Sequence, residues 1–237
     1  MNCNLHCLAS GSAGNCYVIT ASNDALVLEA GVNVGALLKA IDYEIDGVCG
    51  VLASHKHQDH AKFIPKVKRY FEIYGNADLA EEYPNVNVLQ PKKWHKIGAF
   101  KVMPLEVEHG VPNYAYVIDH EVMGRLIFAT DLTHFPYVIK EVNHLLIECN
   151  YVEEVVINNM LDNEDIRSQV NSHMELTKTI EAVSRLQNPL LKNVILCHLS
   201  SANADRKIIT ERFLQELEII PKFATKEMTF DIGLYDF

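Results

Sequence analysis

Between residues 50 and 63 the chain reads GVLASHKHQDHAKF: an apolar run ends at Ala53, and His55, His57, Asp59 and His60 follow within six positions. After a strand, a short extended stretch puts residues two apart on the same side, so His55 and His57 can grip one ion together. Asp59 and His60, where the chain turns, can face a second ion. Imidazole suits zinc, iron or manganese, and a neighbouring carboxylate suits a hard, water-activating centre. Each ion needs more ligands than this cluster supplies, so distant segments must provide the rest. Three candidates directly follow apolar runs: His109 in LEVEHGVPNYAYVI, Asp131 in LIFATDLTH and His198 in VILCHLSSAN. Strand ends gathered along one edge of a sandwich would bring them together.

The elements that must position these residues are mostly strands. Runs such as LHCLA, CYVIT, ALVLEA, GVCGVLA, AFKVMPLEV, YAYVID, RLIFAT, HLLIEC and NVILCH are punctuated by Gly, Asn, Asp or Pro. Helical spacing appears in NVGALLKAI, with Asn33 as N-cap, and in YVEEVVINNML, ahead of the polar DNEDIRSQ. In NSHMELTKTIEAVSRLQ, Ser172 and Glu175 form a capping box, and Leu176, Ile180 and Val183 trace an apolar face. That box would place His173 in the first turn, where backbone N–H groups favour an anion. A last helix, ADRKIITERFLQEL, is apolar at Ile209, Phe213 and Leu217, with Asp205 able to cap it. No repeat or linker interrupts residues 1–237, so one mixed α+β domain is expected.

Composition narrows the function classes. Apolar residues are 49% and charged residues 22% of 237, the ordinary globular mix. No apolar run has the roughly 18 to 20 residues of a membrane span, and the N-terminal sequence lacks signal-peptide features, so a cytoplasmic location is expected. The six cysteines lack CxxC pairing and read as reduced core thiols. The CNLHC segment reads as a plain first strand, with metal ligation by Cys3, His6 and Cys7 as the minor alternative. A net charge of -10 argues against non-specific coating of nucleic acid, which needs Lys and Arg. It leaves open a metal-assisted enzyme acting on phosphates. Two basic groups, around Lys62 to Arg69 and around Lys92 to Lys96, are either solvated faces or a substrate track.

His55, His57, Asp59 and His60 form the HxHxDH pattern, and with it the chain resembles the metallo-β-lactamase superfamily. GSAGNCYVI, LLIECN, SHMEL and CHLSSAN resemble its WalJ/YycJ group more narrowly, compact DNA-exonuclease-like proteins related to ribonuclease Z and the phosphodiesterase PhnP. The resemblance runs from about Ser10 to Asn203. It implies an αββα sandwich and two divalent ions, zinc or manganese, with iron possible. His55, His57 and His109 would hold the first; Asp59, His60 and His198 the second; Asp131 would bridge. Two such ions can share a water and lower its pKa toward neutrality. The resulting hydroxide would attack phosphorus, with Asp59 orienting it. His173 matches the histidine with which phosphodiesterase relatives touch phosphate or protonate the leaving oxygen; otherwise it only caps its helix. Glu148 and Asn150 would orient a ligand or His173, or end a buried strand. The turn holding Ser12 and Asn15 would offer N–H groups to phosphate, or serve as an ordinary hairpin. Lys56 would attract phosphate or point to solvent.

The resemblance thus implies a phosphodiesterase acting on nucleic acid, with a DNA exonuclease favoured. Residues 131 to 173 leave no room for an inserted nuclease cap domain. The alternative is a small-molecule cyclic phosphodiesterase of the PhnP type, and more remotely a thioester or lactone hydrolase. A decayed binding protein is disfavoured because every ligand position is filled. Oligomeric state is open, and no membrane partner is expected.

Overall fold

The computed structural model describes residues 3–160 and 172–234. Two seven-stranded sheets face each other. The first is built from β1 (Cys3–Ala9), β2 (Cys16–Ala21), β3 (Asp24–Leu28), β4 (Val48–Leu52), β5 (Ile73–Gly75) and β6 (Val86–Val88), with β14 (Met228–Asp231) beside β1. The second runs β7 (His95–Ile97), β8 (Phe100–Val107), β9 (Asn113–His120), β10 (Gly124–Ala129), β11 (His144–Glu148), β12 (Asn193–Cys197) and β13 (Lys222–Phe223). Helices α1 (Val34–Ala40), α2 (Gln58–Ala61), α3 (Ile64–Val67) and α4 (Ala77–Glu82) belong to the first half, and α5 (Glu153–Met160), α6 (Leu176–Leu186) and α7 (Arg206–Leu217) to the second.

Alternation along the strands explains the layers. On β2, Tyr17, Ile19 and Ala21 join the core between the sheets, while Cys16 and Val18 join a second core under α1, α2, α3 and α4. On β10, Leu126 and Phe128 face the other sheet, while Ile127 and Ala129 pack with Ile180 and Val183 of α6 and with Phe213 of α7. Both faces of these strands are covered, so they read as continuous apolar runs. The αββα expectation therefore matches. Among the described residues no helix is long and apolar enough to cross a membrane. All six cysteines are free, and Cys3 and Cys7 lie in β1 as a plain strand.

One consequence decides the site. Strands β3, β4, β5 and β6 pair in parallel, and so do β10, β11, β12 and β13. Parallel strands finish at a common edge, so residues after β10, β11 and β12 converge without any sequence proximity.

Asn33 and Asp205 cap α1 and α7 as expected. The capping box at Ser172 is corrected. Helix α6 begins at Leu176, and its N-cap is Glu175, whose side chain accepts from Thr177 N–H. Residues 173–175 are held in another arrangement: Met174 N donates to the Glu148 carboxylate, Asn150 N to Met174 O, and Leu176 N to Tyr151 O. Those partners outcompete an earlier helical turn, so His173 precedes the helix rather than sitting in its first turn. The polar stretch 162–169 and Asn171 lie outside the described residues.

His144, fully buried on β11, shows how the frame handles a titratable group. Its Nε2 donates to Met123 O at 3.1 Å, and its Nδ1 accepts from Asn193 at 2.9 Å. The neutral ring is satisfied, and burial lowers its pKa from 6.5 to about 4. Below pH 6.5 the unfolded chain takes up this proton first. Stability is therefore lost as pH falls towards 4, by on the order of 3 kcal/mol from this group. His144→Gln is expected to flatten the acid limb of urea-unfolding free energy between pH 6.5 and pH 4; a limb parallel to the parent's would refute this assignment.

Candidate metal centre

Four parallel-strand ends reach the centre. After β4, Ser54 and His55 lie outside regular secondary structure, and His57 leads into α2, whose single turn carries Asp59 and His60. After β3, β10 and β12 come Glu29, Asp131 and His198, at φ of 67°, 53° and 52°. Non-glycine residues rarely adopt this left-handed region, and such strain gathers at functional sites. Here it turns each side chain off its strand and into the edge. Asn113 secures the Asp131 bend by donating to the backbone oxygens of Thr130 and Asp131.

The donor atoms form two sets. In the first, His57 Nδ1 lies 2.9 Å from His55 Nε2 and 3.2 Å from His109 Nε2, and Asp131 Oδ2 lies 3.9 and 3.8 Å from those same two Nε2 atoms. In the second, Asp59 Oδ2 lies 3.2 Å from His60 Nε2 and 3.3 Å from His198 Nε2, with Asp131 Oδ1 at 3.3 and 3.5 Å from them. Each set keeps its four donors within 4.8 Å of one another. Four donors each about 2.1 Å from an ion at the centre of a tetrahedron lie about 3.4 Å apart. The separations bracket that value, so the residues fit divalent metal ions. Asp131 is 2% exposed and presents one oxygen to each set.

The other ring nitrogens of His55, His109 and His198 have polar partners, whereas His60 Nδ1 faces a carboxylate without a hydrogen bond. His55 Nδ1 is 2.9 Å from Ser54 Oγ, His109 Nδ1 is 3.0 Å from Ser172 O, His198 Nδ1 is 3.3 Å from Glu148 Oε1, and His60 Nδ1 is 3.6 Å from Glu29 Oε1. Outer partners of this kind fix ring orientation and raise ligand basicity. A third group joins Asp131, Glu148, His173 and His198. Its geometry is that of a hydrogen-bonded clamp: His173 Nδ1 is 2.7 Å from Glu148 Oε1, and the His173 and His198 rings stack at 5.2 Å.

Electrostatics differ between the sets. Burial lowers the pKa of His55 and His109, leaving neutral donors. Burial also opposes charge on His60 and His198, but carboxylates outweigh it: Asp131 and Glu29 raise His60, and Asp131, Asp59 and Glu148 take His198 to about 10. Asp131 itself is held well below the usual carboxylate range, since His60 and His198 overcome its burial. The carboxylates around the second set therefore favour positive charge there, which a dication would supply.

Residues 29–199 match the family described as Beta-lactamase superfamily domain. The chain belongs to this superfamily. Exodeoxyribonuclease YycJ of Bacillus anthracis is 26% identical over 167 residues, which are 63% of this chain and 63% of that protein; the chain spans less than two thirds of this relative. The metallo-β-lactamase fold protein YhfI of Bacillus subtilis superposes with a TM-score of 0.76 at 17% identity, covering 98% of this chain and 100% of that one. A diphosphatase from the PhnP family reaches 0.66 at 13% identity, with coverage of 98% and 100%. The His and Asp sets of this superfamily member suit divalent ions.

Within this superfamily frame, His55, His57, Asp59, His60, His109, Asp131 and His198 all lie in the two sets. Glu148 is fully buried and faces both His173 and His198. Asn150 donates to His198 O at 2.8 Å. Asn15 is buried, and its Nδ2 lies 3.3 Å from Asp59 Oδ2 and 3.0 Å from His60 Nε2, so it touches side chains of the second donor set. Ser12 is exposed on the same hairpin turn, where Gly14 N donates to Gly11 O. Lys56 pairs with Asp78 at 2.9 Å. His6, His95 and His144 find partners elsewhere, and neither they nor His120 or His134 enter a donor set.

Sequence reasoning missed several supports. Glu29 accepts from Ser54 N with both oxygens at 3.3 Å and faces His60; its only signal is a carboxylate ending the apolar ALVLE run. Ser10 Oγ accepts from His198 N at 2.9 Å. Gly31 sits where three backbones meet, and a Cβ there would lie 1.9 Å from Asp59 O. No local pattern announces such a crossing.

Asp131→Ala removes an oxygen from both sets and leaves buried imidazoles without their counter-charge. Bound zinc or manganese, measured by atomic absorption after gel filtration, should fall at least about 10-fold, the scale on which even outer-shell losses are felt. Retention of the parent's metal content would contradict the sharing of Asp131.

Proposed function

We propose that the chain is a dinuclear-metal-dependent phosphodiesterase that acts on nucleic acid as a DNA exonuclease. The observation that carries this reading is the pairing of two donor sets through the two oxygens of Asp131, with His173 clamped beside the second set. Under this reading His55, His57, His109 and Asp131 hold one ion, and Asp59, His60, His198 and Asp131 the other, as zinc or manganese. When bound, a pair of such ions supplies Lewis acidity and an activated water suited to in-line displacement at phosphorus.

The chain's own residues supply orientation and a proton. Glu148 is fixed by Leu132 N–H and Met174 N–H on Oε2, leaving Oε1 to take His173 Nδ1. That contact directs the opposite nitrogen, Nε2, away from the carboxylate. A phosphodiester leaving group released next to the second set would take its proton there. Asn15, bonded to Gly11 through both its side-chain atoms, holds the Asp59 carboxylate in its rotamer.

A cyclic or other small phosphodiester is the second reading, favoured by the net charge of -10, which disfavours long polyanions.

The deciding assay follows end-labelled single- and double-stranded DNA and RNA with added manganese or zinc, with Asp59→Ala as contamination control. Stepwise shortening from one DNA end that vanishes in Asp59→Ala is expected. Absence of polymer cleavage by metal-loaded protein would move the assignment to small diesters. His173→Ala should lower kcat by roughly 10² to 10⁴, the scale of a lost general acid; an unchanged kcat would remove His173 from proton transfer.

A further inference from the structure

A cleft of about 520 Å³ opens between the turn of residues 11–14 and the loop that follows His198, a volume usual for ligand pockets. Ser12, Ser200, Ser201 and Thr225 line it with hydroxyls, and Arg206 and Lys226 bring cations. No carboxylate is among the described residues that line it. Two acids adjoin these cations in sequence. Asp205 caps α7 by accepting from Lys207 and Ile208 N–H, and Glu227 lies 3.7 Å from Lys226 in an exposed pair, a contact of little strength. In a chain of net charge -10, a cleft carrying only positive charge creates a local field that selects an anion.

The walls of this cleft are the supports of the metal centre. Ser10, in its lining, accepts from His198 N. Gly11 exchanges two hydrogen bonds with the Asn15 side chain, which in turn touches Asp59. Ser200 N donates to Asn150 O, and Asn150 donates to His198 O. A ligand seated here is therefore one loop away from the second donor set. Ser200 Oγ accepts from Asn203 N at 3.2 Å, which leaves its own proton to donate. The Arg206 guanidinium rests 5.4 Å from the centre of the Phe223 ring, a stacking that holds its planar fork ready for phosphate.

We propose that this cleft binds the phosphate adjacent to the scissile one, through Arg206, Lys226 and the hydroxyls of Ser12, Ser200 and Ser201, so that the preferred substrate carries at least two phosphodiesters. The proposal rests on the phosphodiesterase reading above and adds what that reading leaves open, namely where the rest of the substrate lies. A minimal diester reaches the metal centre alone; a nucleic-acid strand also fills the cleft.

The test measures fluorescence anisotropy of fluorescein-labelled hexathymidylate in an Asp59→Ala background, which prevents turnover. Adding Arg206→Gln and Lys226→Gln should weaken binding at least about 10-fold at low salt and cut the slope of log affinity against log salt by about 1.4, about 0.7 per lost cation. A charge-matched pair, Lys39→Gln and Lys101→Gln, both exposed and outside the cleft, should keep the parent's affinity and slope. With Asp59 intact, the ratio of kcat/KM for hexathymidylate over bis(p-nitrophenyl) phosphate should fall about 10-fold in the cleft variant and hold in the control, in line with loss of phosphate contacts. Equal binding by cleft variant and parent, or no binding by the parent, overturns the proposal. Polymer cleavage undiminished in the cleft variant leaves the nuclease reading standing and removes the cleft. Binding lost in the cleft variant, without polymer cleavage by the parent, keeps the cleft and removes the nuclease reading.

Discussion

A single buried carboxylate constrains the rest of the structure. Asp131 has almost no exposure, yet its two oxygens lie within 3.9 Å of His55, His60, His109 and His198. Removing an ionised carboxylate from water costs several kcal/mol unless cations and hydrogen bonds replace the lost solvent. Thr130 Oγ1 donates to Oδ1, Asn113 holds the backbone, and the imidazoles surround the remainder. Positive charge beside it, which His60 and His198 of the second set favour, is therefore a requirement of the fold as well as of the chemistry. Divalent ions meet it more fully than protons on crowded rings, because one ion serves several donors at once.

That requirement is met only if the two sheets keep their relative position at the site edge. Several bonds tie them there. Tyr116 of β9 donates through its hydroxyl to Ala53 O, immediately before the first histidine cluster, and Tyr114 N donates to Ser54 O. Asn76 donates to both Ser54 O and Pro112 O, joining the start of α4 to the loop that leads into β9. Around Gly31, Asn15 N donates to Asp59 O and Gly31 N to Asn15 O, so the hairpin, the end of β3 and α2 are one unit. The donors are positioned by backbone that has little freedom to relax, which keeps them pre-organised for an ion.

The site is asymmetric in a way that bears on function. His57 and His109 lie towards one side, while His198 is flanked by Glu148, Asn150, Ser10 and the stacked His173. The denser polar scaffold on the second side gives the His173 ring and the cationic cleft a common set of supports. Chemistry that places a leaving group and a following phosphate on that side makes use of both.

How much of this was legible depended on the range of the signal. The HxHxDH cluster lies within six residues, and each of His109, Asp131 and His198 follows an apolar run, so residue type and strand periodicity singled out the residues that the fold gathers into two donor sets, and resemblance gave the fold. Helices α1 and α7 with Asn33 and Asp205 as caps were equally local. What tertiary structure alone decided was non-local. Glu175, not Ser172, caps α6, because Glu148, Asn150 and Tyr151 claim the backbone before it. Glu29, Ser10 and Gly31 acquired their roles only when parallel strands ended at one edge. Short-range order is written in propensity and period, whereas a shared carboxylate and a three-way backbone crossing exist only once chain segments far apart in sequence are packed together.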